Sequence, residues 1–77
     1  MKTLLKREAL AEHIARRNLS QNRFANTAGI SHAYVAQLLA GKRNPSGVVR
    51  EKLMQATGMD FDDLFQIVPG KERATDA

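Results

Sequence analysis

Small and hydrogen-bonding side chains without charge lie close together at His32, Ala33, Tyr34 and Gln37, and basic and polar side chains follow at residues 42–44. A glutamine can pair with adenine through two hydrogen bonds, a histidine can bond to a purine edge, and an alanine methyl can contact thymine. Lysine and arginine bind phosphate. This pattern is typical of a surface that contacts the base edges and the flanking backbone of double-stranded DNA.

Other kinds of chemistry have little support in the sequence. The chain contains no cysteine, and its two histidines, His13 and His32, are far apart and lack regularly spaced acidic companions. A disulfide, a thiolate site and a metal site are therefore not expected. Paired carboxylates, a nucleophile with its base and a phosphate-binding loop are also missing. We expect a protein that is not an enzyme and that uses no cofactor, metal or small-molecule ligand.

Charge is distributed unevenly along the chain. Residues 1–50 contain nine cations and two acids, a net charge of +7, whereas residues 51–77 contain three cations and six acids, a net charge of −3. A basic half beside an acidic half favours one face that binds a polyanion and another end that stays away from it. Ordinary solvated charge explains the same numbers equally well.

The length of 77 residues allows one small domain, whose core is marginal without well-packed helices or a partner chain. No apolar run approaches the roughly 18–20 residues that span a bilayer, and Leu4 and Leu5 are followed at once by charged residues, unlike a signal peptide. We therefore expect a soluble, cytoplasmic protein with no membrane association. One DNA-binding domain should cover residues 1–68, and residues 69–77 should form a disordered tail.

The apolar residues recur at helical spacing, and strand signals are nearly absent. We therefore predict an all-α protein, a compact five-helix bundle. Serine, threonine and aspartate mark the helix starts, because their side chains can cap free backbone N–H groups. Glycine and asparagine mark the helix ends, because they tolerate the left-handed conformation. The predicted helices cover residues 3–17, 21–28, 32–40, 47–57 and 61–66, with N-caps at Thr3, Ser20, Ser31, Ser46 and Asp60 and ends at Asn18, Gly29, Gly41 and Gly58.

Residues 20–41 form a helix-turn-helix in this prediction. The second and third helices are joined only by Gly29, Ile30 and Ser31. A link of three residues is too short for the two helices to pack antiparallel, so they are expected to cross at a steep angle. Gly29 supplies a left-handed turn, Ile30 anchors it in the core, and Ser31 starts the next helix. The uncharged face of the third helix then points outward.

The sequence resembles the Cro/repressor (XRE) helix-turn-helix family. The resemblance covers roughly residues 10–65, and the following segments carry it: Leu19-Ser20-Gln21, Phe24-Ala25, Gly29-Ile30-Ser31, Val35, Leu38, Gly41-Lys42-Arg43-Asn44-Pro45-Ser46, Ala56-Thr57-Gly58 and Phe61-Asp62-Asp63-Leu64-Phe65. The resemblance implies a five-helix bundle that binds near-palindromic operators as a dimer. Two residues depart from the family pattern: Tyr34 is bulkier than usual, and Gly47 occupies a place that is often apolar.

The residue types and the resemblance together give a set of candidate DNA contacts. We expect bases to be contacted by His32, Ala33, Tyr34 and Gln37, with Tyr34 either reaching the DNA or folding back on the protein. The resemblance implies that Gln21 contacts a phosphate and supports the start of the third helix. The expected phosphate contacts are Gln21, Asn22, Arg23, Lys42, Arg43 and Asn44.

The last helix and the residues after it carry more apolar side chains than one short helix can bury on its own bundle. A homodimer interface is therefore predicted there, the alternative being a lid that packs wholly within the chain. The predicted interface residues are Met59, Phe61, Leu64, Phe65, Ile67 and Val68.

The favoured function is a transcriptional regulator, most simply a repressor that blocks polymerase at a near-palindromic operator. A first alternative is an antitoxin-like or accessory protein of the same fold whose main partner is another protein. A second is a helical interaction module that does not bind DNA. The uncharged face of the third helix, next to a basic loop, argues against this second alternative.

Overall fold

The computed structural model describes residues 2–69, and this part of the chain contains five helices and one two-stranded sheet. The mostly helical architecture confirms the predicted bundle, and the sheet is an addition to it. None of the helices in this range is long and apolar enough to cross a membrane. Apart from Pro69, the predicted disordered tail lies outside the described residues. The elements in order are β1 (Lys2–Leu5), α1 (Arg7–Arg16), α2 (Gln21–Ala28), α3 (His32–Ala40), α4 (Gly47–Thr57), α5 (Phe61–Leu64) and β2 (Phe65–Val68).

The middle helices begin and end where the capping residues predict. The side-chain oxygens of Ser20, Ser31 and Ser46 each accept the backbone N–H three residues later, at 3.0, 3.0 and 3.4 Å. A glycine in the left-handed conformation follows each of α2, α3 and α4, with φ between 72° and 78°. These caps satisfy backbone groups that a helix end leaves unpaired, so the lengths of α2, α3 and α4 follow from local sequence.

The predicted start of the first helix is wrong. Thr3 does not cap a helix, because residues 2–5 form β1 and pair antiparallel with β2, with Leu5 opposite Phe65. The backbone N–H of Lys6 donates to the carbonyl of Leu64 at 2.7 Å, and this bond fixes the chain before α1 begins at Arg7. The last helix likewise ends at Leu64, two residues earlier than predicted, because the chain extends into β2.

One hydrophobic core joins all the elements. Helix α2 packs on α3 and α4, and α1 packs on α3 and α5. Within α3 the side chains of Val35 and Leu38 are fully buried, so the opposite side of α3 faces outward. The buried apolar residues are Leu5, Leu10, Ile14, Phe24, Ala25, Ala28, Val35, Leu38, Val49, Leu53, Leu64 and Phe65.

Candidate nucleic-acid interface

The turn between α2 and α3 fixes how α3 leaves the bundle. Gly29 has φ +78°, and its backbone N–H donates to the carbonyl of Ala25 at 2.9 Å. The next residue, Ile30, donates to the same carbonyl at 3.1 Å, and its half-buried side chain packs against the core. Lys52 on α4 donates through Nζ to the carbonyl of Gly29 at 3.2 Å. Hydrogen bonds from α2 and from α4 therefore support the turn that precedes α3.

All four predicted base-contacting residues lie on or beside the outward face of α3. The side chains near its start are exposed, whereas the two at its flank are half-buried. Ser31 caps the helix by accepting the N–H of Tyr34, and the first two residues of α3 are open to solvent. The exposed pair is His32 and Ala33, and the half-buried pair is Tyr34 and Gln37.

His32 is oriented by a neighbour that the sequence did not reveal. Its Nε2 lies 3.1 Å from Oδ1 of Asn26, an exposed residue of α2. An amide oxygen only accepts hydrogen bonds, so Nε2 donates and, in the neutral ring, Nδ1 is an acceptor. Asn26 precedes the Gly29 turn by three residues and His32 follows it by three. A polar pair placed symmetrically about the turn is the signal that would have identified Asn26.

Arg43 contacts both Gln37 and Tyr34, and we call the three residues the Tyr-Gln-Arg cluster. Nε of Arg43 donates to Oε1 of Gln37 at 2.7 Å. The guanidinium carbon of Arg43 lies 4.8 Å from the centroid of the Tyr34 ring. The Tyr34 ring also packs against the core, so it folds back on the protein and offers its face to the arginine. Sequence reasoning placed these residues near one another without showing that they touch.

The predicted phosphate contacts lie at two places around α3, and all are exposed. Within residues 2–69 the only ion pair joins Arg16 to Glu12, so no carboxylate in this range competes with a polyanion for the cations near α3. The first place is the first turn of α2, whose free backbone N–H groups favour anions. It contains Gln21, Asn22 and Arg23, and the loop after α3 contains Lys42, Arg43 and Asn44.

Arg7 adds a further cation beside this loop. Its Nη1 lies 3.5 Å from the carbonyl of Leu39, and a Cβ added at Gly41 would stand 2.6 Å from the same nitrogen. The guanidinium therefore covers the negative end of α3. It also lines, together with Arg43 and Asn44, a groove of about 300 Å³.

His13 packs away from solvent on one side, as expected of a structural histidine. Its ring meets Phe24 edge to face, with the centroids 6.4 Å apart. Burial, with a smaller effect from the positive charge of Arg17, lowers the pKa of His13 below its ordinary value of 6.5. The neutral ring is therefore the form that the fold stabilises.

Two of the residues predicted to form a dimer interface are buried inside their own chain. Leu64 is fully buried and Phe65 is 1% exposed, so the prediction that they lie at an interface is wrong. The prediction assumed that one short helix could not bury these side chains. In the folded chain β1 and the rest of the core cover them. The Phe61 ring packs against Phe65 at a tilt of 42°, with ring centroids 5.3 Å apart, and Phe61 is half-buried, like Met59 and Val68. Ile67, 54% exposed, keeps a large apolar surface.

A three-residue link between two capped helices, and an outward uncharged face flanked by cations, are the features of a helix-turn-helix DNA-binding protein. Comparisons with known proteins agree with that class. A family model described as helix-turn-helix matches residues 5–64, and the chain belongs to this family, which is of the XRE type. It is a helix-turn-helix transcriptional regulator and not an enzyme.

Two individual proteins illustrate the likeness. The uncharacterized HTH-type transcriptional regulator YvzC of Bacillus subtilis (strain 168) is 28% identical over 64 residues, which cover 83% of each chain. The crystal structure of the restriction-modification controller protein C.AhdI from Aeromonas hydrophila aligns with a TM-score of 0.68 and 30% identity. That alignment covers 74% of this chain and 86% of the other.

Proposed function

We propose that two copies of this chain bind a near-palindromic operator and repress transcription by blocking polymerase. The observation that carries the proposal is the outward face of α3, which is uncharged along its start and is flanked by exposed cations. An α-helix of this kind fits the major groove of B-DNA, where every base pair presents a distinct pattern of donors and acceptors. The site of action would be the cytoplasm, where operator DNA is reached.

Each group of residues has a separate role in this proposal. The side chains of α3 contact base edges, and the side chains on both sides of it contact phosphates and set the register on the duplex. His32 is held by Asn26 before DNA arrives, which lowers the entropy lost on binding. The base contacts would be His32, Ala33 and Gln37, and the phosphate contacts Gln21, Asn22, Arg23, Lys42 and Asn44. Tyr34 and Arg43, which contact each other, would support this face from its flank.

A homodimer follows from the energetics of recognition. Each good base contact discriminates by ~1–3 kcal/mol, so a single α3 cannot select one site in a genome. Two copies related by a twofold axis place their recognition helices about 34 Å apart, one turn of DNA, and read a palindrome. The apolar surface left for the second copy includes Met59, Phe61, Ile67 and Val68, of which Ile67 is the most exposed.

Selection of bound duplexes from a random DNA pool tests this function. We expect an enriched site with twofold symmetry and half-sites about 10 base pairs apart. Enrichment of no sequence, or of sites without symmetry, would contradict the proposal. An antitoxin-like role predicts instead a chain that is monomeric in sedimentation at micromolar concentration and that forms a stable complex with a different protein.

A pair of variants shows whether α3 is the element that enters the groove. Ala33→Glu places a carboxylate on the outward face of α3, and Ala11→Glu makes the same change at an exposed position of α1. The first variant should lose binding to the selected duplex, and the second should bind like the unaltered chain. Equal loss in both would show that the bound surface does not depend on α3.

A further inference from the structure

We infer that Gln37 and Arg43 together read a guanine, with Tyr34 holding the arginine in place. This inference rests on the proposed function and specifies the base that the Tyr-Gln-Arg cluster recognises. It also changes the roles predicted from the sequence, in which Gln37 alone read adenine and Arg43 bound a phosphate. The observation behind it is the 2.7 Å hydrogen bond from Arg43 to Gln37.

The orientation of the Gln37 amide is set by the arginine. A guanidinium group has only donors, so the atom of Gln37 that faces it must be the carbonyl oxygen. That oxygen accepts the bond from Nε of Arg43, and the NH₂ group lies on the other branch of the amide. A glutamine reads adenine by using its oxygen and its nitrogen at once. With its oxygen already bonded, Gln37 offers chiefly donors.

Arg43 contributes further donors to the same surface. Of the five N–H groups of an arginine, the one on Nε is used by Gln37, and the four on the two Nη atoms remain. Among residues 2–69, no carboxylate forms an ion pair with Arg43. The two Nη atoms are arranged as a fork that can bind two acceptors side by side. Gln37 and Arg43 therefore present a surface composed of donors.

Guanine is the base that matches such a surface. Its major-groove edge carries two acceptors, N7 and O6, whereas adenine carries one acceptor and one donor, the N6 amino group. An adenine would direct its amino group at a donor of the protein. The arrangement therefore favours guanine over adenine at the position that Gln37 reaches.

Tyr34 keeps the arginine ready for binding. Its ring face lies 4.8 Å from the guanidinium carbon of Arg43, a distance at which a cation is attracted to an aromatic face. The half-buried ring packs against the core and has little freedom of its own. Arg43 is thus held by a hydrogen bond on one side and an aromatic ring on the other, which reduces the entropy it would lose on binding a base.

The test compares site selection by the unaltered chain with selection by three variants. Arg43→Ala removes the fork together with one positive charge, and Gln37→Ala removes the hydrogen bond that anchors Arg43. Both should lower the preference for guanine over adenine at one position of each half-site by about 5- to 150-fold, the equivalent of the ~1–3 kcal/mol of a bidentate contact. Lys42→Ala, at the neighbouring loop residue, should weaken all sequences alike.

Modified bases test the same contact without altering the protein. In the selected duplex, the guanine at that position is replaced by 7-deazaguanine, which lacks the N7 acceptor. The unaltered chain should lose affinity, and Arg43→Ala should lose much less. Inosine keeps N7 and O6 and differs only in the minor groove, so it should bind like guanine.

The outcomes separate the two proposals. If the unaltered chain enriches no sequence, the proposed function fails and the guanine contact fails with it. If a symmetric site is enriched but Arg43→Ala and Gln37→Ala leave every base preference unchanged, only the guanine contact is overturned. An adenine at the position that Gln37→Ala affects would overturn it as well.

Discussion

Replacing Gly29 by alanine measures how much of the fold depends on the turn before α3. The φ of Gly29 is +78°, in a region that costs a residue with a Cβ about 1–2 kcal/mol. A Cβ at this position would meet no other atom within 4 Å, so backbone strain is the whole cost. We therefore expect Gly29→Ala to lower the free energy of unfolding by about 1–2 kcal/mol.

A second glycine provides the matched control. Gly47 begins α4 without a positive φ, and a Cβ there would meet only the Arg50 side chain at an ordinary 3.5 Å. Gly47→Ala should raise stability by about 0.4–1 kcal/mol, because alanine reduces the freedom of the unfolded chain. In urea unfolding followed by circular dichroism, a slope near 1 kcal/mol/M would put the Gly29→Ala midpoint about 1–2 M lower. Equal midpoints for the two variants would refute the reasoning about the turn.

Three further predictions concern charge, pH and the apolar end of the chain. Lys42→Ala should reduce the slope of log affinity against log salt by roughly 0.9, whereas Arg16→Ala, whose cation is already paired with Glu12, should leave it unchanged in anisotropy titrations. Because the pKa of His13 is lowered in the folded chain, the unfolded chain binds more protons below pH 6.5, and thermal stability should fall as the pH drops through that value. His13→Gln should remove this part of the pH dependence, and an unchanged pH profile would contradict it. Phe65→Ala should cost about 3–5 kcal/mol of stability, whereas Ile67→Ser should leave the monomer folded and weaken the proposed dimer in sedimentation experiments.

The helix-turn-helix could be predicted because its determinants are local. Ser20 and Ser31 each bond to a backbone group three residues away, and Gly29 and Gly41 adopt the left-handed conformation that glycine favours. Such interactions depend on residues that are close in sequence, so the sequence alone predicts them. The outward face of α3 followed from the burial of the apolar residues on its other side.

The ends of the chain could not be predicted in the same way. Leu5 pairs with Phe65, sixty positions away, and each strand is only four residues long. A short strand becomes stable through its partner, so neither segment carries a pattern of its own. Because β1 was not predicted, Leu64 and Phe65 had no partner within the chain and were expected at an interface.

Contacts between side chains were the other part that sequence reasoning missed. Gln37 and Arg43 were assigned separate roles because one lies in a helix and the other in a loop. In the folded chain the left-handed Gly41 turns the loop back, and Arg43 reaches Gln37 six residues earlier. Residue types indicated what each side chain could bind, but only the fold shows that the carbonyl oxygen of Gln37 already accepts a hydrogen bond from Arg43.

Nuclear magnetic resonance of the labelled chain with its selected duplex tests the central claim most directly. If α3 enters the major groove, the backbone amide signals that shift most should come from residues 21–23, 32–37 and 42–44, with small changes along the outer face of α1. If the largest shifts come instead from α4 and α5 while the signals of α3 stay in place, α3 does not read the DNA and the account is wrong.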